Sequence, residues 1–214
     1  MALSKLVANS FDLTDNYSFT GTVSGVGIST QKLFLIKNID ASSSSTVSFV
    51  DGSSSVVLDN TYKTYLFKFV NIHPSNNATR LQYNLSVDGG SNYNVAKTTT
   101  SFKAYHNEGN SASALTYETG TDLAQGTGTQ FIGDDISNAN DASMSGEMFL
   151  FNPSSTTFVK HIITTTSSLA NGDFAVWNST GTGYGNTTSA VDAVQFTMSS
   201  GTIDSGRIAL YGIK

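Results

Sequence analysis

Short runs of alternating apolar and polar residues recur along most of this chain. In Arg80-Leu-Gln-Tyr-Asn-Leu-Ser-Val87, the residues Leu81, Tyr83, Leu85 and Val87 fall on one side and Arg80, Gln82, Asn84 and Ser86 on the other. A period of two puts one set into a core and the other into solvent, which is a half-buried β-strand. The same pattern marks strands in the segments 32–37, 46–50, 62–72, 146–151, 158–164, 174–177, 191–198 and 207–213. No long run has the 3.6-residue period of a helix. Asp88-Gly-Gly90 after the clearest strand is a hairpin signal, and Pro74 and Pro153 mark exits from strands into loops.

About ten strands separated by turn signals predict an all-β, antiparallel β-sandwich, and the jelly roll is its version with about eight core strands in two packed sheets. An immunoglobulin-like sandwich is the alternative, without the Cys…Trp…Cys framework. Residues 31–214 read as one sandwich domain, with a long polar excursion at about 107–145 in which only Phe131-Ile132 looks like strand material. Residues 1–30 read as an extended N-terminal arm. Its isolated apolar side chains Leu3, Leu6, Val7, Phe11 and Leu13 cannot build a core alone and are expected to make assembly contacts.

Composition refines the outward positions. The 214 residues include 31 Ser, 27 Thr, 18 Asn and 19 Gly but only 13% charged side chains, so the polar face of most strands is neutral. Disorder is excluded by 38% hydrophobic residues with 13 Phe and 9 Tyr placed in alternating runs. A net charge of −5 argues against nucleic acid, whose binding needs clustered Lys and Arg. No apolar run approaches the roughly 20 residues of a membrane-crossing helix, and the first ten residues are too short in their apolar part for a signal peptide. The absence of cysteine fits folding in a cytoplasm and removes disulfides and thiolate chemistry.

Candidate chemistry is sparse. Gly181-Thr-Gly-Tyr-Gly185 has the look of a phosphate loop but no helix follows, so it reads as a flexible hairpin or loop. His73, His106 and His161 are far apart, and only His106 has a near partner, Glu108. Asp134, Asp135 and Asp141, with Glu147 nearby, form the densest carboxylate group and are the calcium candidates, although a solvated turn is the commoner fate of such a group. The same group offers no defined glycosidase pair. There is no Gly-x-Ser-x-Gly elbow. Trp177 points away from Phe174 and Val176 and is the candidate glycan contact, with packing as the competing role. No catalytic residue and no cofactor follow from these observations.

The ending Gly206-Arg-Ile-Ala-Leu-Tyr-Gly-Ile-Lys214 is a closing strand, in which Ile208 and Leu210 alternate with Arg207, Ala209 and Tyr211. This ending, with Met1-Ala-Leu-Ser-Lys5 and Phe19-Thr-Gly-Thr-Val23, resembles tailed-bacteriophage virion surface proteins of the tail-fibre or capsid-decoration type. The resemblance implies a non-enzymatic structural protein on the virion surface, made in the host cytoplasm and acting in assembly and host attachment. Its implied partners are further copies of itself as a trimer, other virion proteins and host surface glycans. A carbohydrate-binding receptor-recognition module is the alternative, and a glycan depolymerase the third reading.

Overall fold

The computed structural model describes residues 32–172 and 174–214. The expected arm, with Leu3, Leu6, Val7, Phe11 and Leu13, lies outside the described residues. Leu33–Lys214 form one compact unit of twelve strands, and there is no helix among the described residues. In chain order the strands are β1 (Leu33–Ser44), β2 (Val47–Val50), β3 (Thr64–Pro74), β4 (Leu81–Ser86), β5 (Lys97–Asn107) and β6 (Ser113–Tyr117). They continue as β7 (Gln130–Phe131), β8 (Met144–Phe151), β9 (Lys160–Leu169), β10 (Ala175–Gly185), β11 (Ala193–Met198) and β12 (Ile203–Ile213).

Two antiparallel sheets pack face to face. One has eight strands in the order β1-β12-β3-β8-β9-β10-β5-β6, the other four in the order β2-β11-β4-β7. The first four strands of the large sheet and the whole small sheet reproduce the two four-stranded sheets of a jelly roll, in which consecutive strands alternate between sheets except at β4 and β7, which pair within the small one. The hairpins β5–β6 and β9–β10 are insertions into that scheme. They pair with one another and extend the large sheet beyond the small one.

The core lies between the jelly-roll halves. Tyr65, Phe67 and Phe69 of β3, Met148 and Leu150 of β8, and Ile208 and Leu210 of β12 point inward from the large sheet, and Phe49, Tyr83, Leu85, Val194 and Phe196 meet them from the small one. Phe49, Phe67, Phe69 and Phe196 pack edge to face at centroid separations of 5.2–6.3 Å, the geometry aromatic quadrupoles favour. The closing strand sits between β1 and β3, not at an edge.

Several elements differ from the sequence expectation. β5 and β6 were not legible as strands, and β6 lies inside the polar excursion. Gly181–Gly185 is the end of β10, not a loop. None of its glycines has positive φ, and a Cβ on Gly183 would stand 2.6 Å from the Thr98 carbonyl oxygen, so glycine serves close backbone approach. The Asp88–Gly90 turn is real, with φ of 68° and 78° at Gly89 and Gly90, but it leads from the small sheet to the large one and joins no hairpin. Hydrogen bonds from the Asn92 side chain first, then from Ser86 and the Asn92 backbone, hold the Asp88 carboxyl down to about 2. Val87 is exposed, unlike Leu81, Tyr83 and Leu85.

Candidate functional site

The sheet extension creates a physical problem, because no second sheet covers its inner face. β9 shows the answer in its own sequence. Its inward positions run Lys160, Ile162, Thr164, Thr166, Ser168, apolar only where the small sheet reaches. Residues 118–137 lie over the rest and bind it through hydrogen bonds. Thr166 Oγ1 donates to the Ile132 carbonyl at 2.7 Å and Ser168 Oγ to that of Asp134 at 3.3 Å. Buried Gln130 donates to the Thr121 and Phe131 carbonyls and accepts from Thr99 Oγ1 at 2.6 Å. Most of the buried polar groups here are tolerated because they are paired; Trp177 Nε1 and Ser179 Oγ are buried without a hydrogen-bond partner.

The charged groups of the excursion gather on the same side. Asp134, buried, accepts from Arg80 Nε and from Lys103 Nζ at 3.2 Å, and Lys103 also reaches Glu118 at 3.4 Å. Lys103 Nζ stands 3.7 Å from the centroid of the Trp177 ring, and the Arg80 guanidinium lies over Phe131 at 5.1 Å. Burial, and then the neighbouring Asp134 charge, push the Asp135 carboxyl above its usual range. The space bordered by Ser101, Glu118, Asp134, Thr164 and Ser179 amounts to about 10 Å³, room for the centre of one water and too small for a sugar or a metabolite. The arrangement is an ion-pair clasp that fastens the excursion to Lys103 of β5 and to Arg80 before β4. Replacing Asp134 with Asn leaves Lys103 without its best-buried carboxylate. We expect a loss of about 1–2 kcal/mol in urea unfolding, with a smaller loss for Glu118→Gln, whose side chain is more exposed.

The calcium candidates are not brought together. Both Asp134 oxygens face cations, Asp141 is exposed, and among the described residues no cluster of three or more His, Cys, Asp or Glu side chains could hold a metal ion. Trp177 is half-buried with one ring face taken by Lys103, and its Nε1 is buried, so it offers no open stacking platform. Phe174 and Val176 are the exposed members of that strand region. The histidines stay apart. His73 Nδ1 lies 2.8 Å from the Ala142 carbonyl, His106 Nε2 lies 3.1 Å from Asn110 rather than against Glu108, and His161 packs on Tyr184.

A surface absent from the sequence reading stands out instead. The outer face of the small sheet is polar and internally bonded, with Gln195 donating to Ser48 and Gln82 to Thr197. The outer face of the large sheet is mixed, with Thr165, Ser167, Asn178 and Thr182 exposed across β9 and β10 and large apolar side chains on either side of them. Its register aligns Leu35, Tyr211, Leu66, Phe149 and Ile163 in one row across five strands. Leu66 points outward yet is only 5% exposed, hemmed in by Tyr211 and Phe149, whereas Leu35 and Ile163 are 51% and 43% exposed. At the other end of the face Phe102 pairs with Tyr117 and Ala104 with Leu115. Leu115, Tyr117, Phe102, Val70 and Val176 are all exposed on this side. Periodicity could have indicated it, because Leu33-Phe-Leu-Ile36 and Met148-Phe-Leu-Phe151 are apolar on both faces.

The chain is thus an all-β jelly-roll sandwich with an extended large sheet. No family model matches it, nor does any curated protein or solved structure.

Proposed function

We propose that this protein is a non-enzymatic structural subunit of a tailed-bacteriophage particle, displayed on the capsid or tail and working by assembly. The observation that carries the reading is the asymmetry between the two outer faces, since several large apolar side chains exposed on one sheet face mark a place of association. The jelly-roll order supports it by analogy, as the fold recurs in viral capsid and lectin domains, and fold analogy by itself assigns no function. The likeness of residues 206–214 to the ends of phage surface proteins supplies the particle. The glycan-binding alternative draws nothing from Trp177, which sits under Lys103.

The test is to purify particles of the source phage by density gradient, digest them and look for peptides of this chain, then place the chain with immunogold. Peptides at a fixed stoichiometry and gold on capsid or tail are expected. Particles free of the chain would end the proposal.

A further inference from the structure

The assembly reading leaves open what covers the outer face of the eight-stranded sheet. We propose that a second copy of this chain does, the two large sheets packing outer face to outer face about a twofold axis. The inference rests on the assembly reading and names the partner of that same surface.

Area is the first argument. Eight strands spaced about 4.8 Å apart give a face roughly 38 Å wide, and strands of about eight residues make it roughly 26 Å long. That footprint of about 1,000 Å² exceeds the roughly 800 Å² per partner of a standard stable interface. The exposed apolar groups are spread across it, with Leu35 on β1, Val70 on β3, Ile163 in mid-sheet on β9, and Phe102, Leu115 and Tyr117 toward β6. A small ligand or a single strand would cover one end and leave the other wet.

Charge is the second argument. The chain carries −5, which opposes self-association through most of its surface. On this face the charges cancel within each copy. Asp40 accepts two hydrogen bonds from Arg207, at 2.6 and 3.0 Å, and Lys68 stands opposite Glu147 in the register. A basic or acidic partner would find no net charge to recognise, whereas a second copy meets a face as free of net charge as its own, with the same exposed apolar side chains. Antiparallel sheets also suit this contact, since face-to-face sheet packing at about 10 Å is how the core of each sandwich is already built. A face that matches itself gives an isologous pair and closes at two copies, in place of the trimer that a fibre-type assembly implies.

The experiment is sedimentation velocity and light scattering on the full chain from about 1 to 100 µM, with three single variants. The expected mass is twice the 22.6 kDa of one chain. Ile163→Glu, in mid-sheet on β9, and Leu115→Glu, at the β6 edge, both exposed already, should each shift the species to monomer at least tenfold in concentration while melting like the parent. Val87→Glu, exposed but off this face, should remain a pair. A parent chain that is monomeric throughout would overturn the proposal, as would a trimer, or a pair that ignores both face substitutions, or one lost equally with Val87→Glu. Failure here is separable from failure of the assembly reading, because particle composition and solution mass are independent measurements.

Discussion

Deleting residues 208–214 is expected to abolish the cooperative thermal transition of this protein. The segment forms most of β12, which is hydrogen-bonded on both sides, to β1 from Ile213 back to Arg207 and to β3 over the same stretch. Its loss unpairs two ladders and removes the fully buried Ile208 and Leu210 from opposite the small sheet. Burying such side chains stabilises by about 1.5–3 kcal/mol each, and a gap between β1 and β3 exposes Phe67 and Phe69 as well. The sum reaches the roughly 5–15 kcal/mol that holds a domain together. Circular dichroism should show a flat melt and Trp177 emission at the unfolded maximum without denaturant. Deletion of the exposed Lys214 alone should change neither. A 208–214 deletion that melts within a few degrees of the full chain would mean that β12 is dispensable and the jelly-roll pairing mistaken.

The strands legible over most of their length are those of the jelly-roll core, while of the inserted strands only the starts of β9 and β10, in the segments 158–164 and 174–177, were legible. In the core one face meets a second sheet, so inward positions must be large and apolar, as at Leu81, Tyr83 and Leu85 or at Val194, Phe196 and Met198. The inserted strands obey a different rule. Beneath β5, β10 and the far part of β9 lies a polar excursion, so the inward residues are Ser101, Thr164, Thr166, Ser168 and Ser179. Alternation of Ser and Thr with Thr and Asn carries no hydrophobic period. The expected loop at Gly181–Gly185 failed for a related reason, because the glycines are spaced to let neighbouring backbones approach and not to turn the chain.

Site residues were legible by type but not by partner. The carboxylates of the excursion do cluster on one loop in sequence, yet what decides their role is Arg80, before β4, and Lys103, in β5, which only the fold delivers. Once two cations occupy Asp134, a further cation has no favourable place there. For Trp177 the alternation correctly set it opposite Phe174 and Val176, and the side facing the excursion turned out to be the covered one. The apolar row of Leu35, Leu66, Phe149 and Ile163 escaped because each neighbours a core-facing residue of similar hydrophobicity, so a strand with two apolar faces looks like a buried one.

The stability of this protein should rise between about pH 8 and 9.5, and Lys97 is the reason. Lys97 opens β5 with its side chain wholly buried, and its Nζ donates to Asn84 Oδ1 at 2.5 Å and the Val95 carbonyl at 2.8 Å, both neutral acceptors. Across Gly185 in the same row lies Lys160, also buried, donating to the Phe158 and Thr187 carbonyls. Burial without a carboxylate to offset it pushes the Lys97 ammonium down to about 8 from the usual 10.5, and lowers that of Lys160 in the same direction. Between those two values the unfolded chain holds a proton that the folded chain has released. Stability therefore climbs with pH across that window, by something on the order of 3 kcal/mol for Lys97 if the window were completed. Below about pH 8 both states are charged and the gain is absent. Above about pH 10 an opposite term sets in, because burial holds the Tyr83 phenol, and burial with the nearby Asp59 charge holds that of Tyr65, above the usual value. There the unfolded chain loses protons that the folded one keeps, and stability falls. The melting temperature should accordingly peak near pH 9.5 to 10. In Lys97→Met the rise should shrink to the part that Lys160 supplies, at a cost of about 1–3 kcal/mol for the two acceptors left unpaired. Melts at half-unit intervals from pH 7 to 11 on both proteins measure this directly, and a variant whose profile parallels the parent between pH 8 and 9.5 would show that the amine of Lys97 keeps its ordinary affinity for a proton.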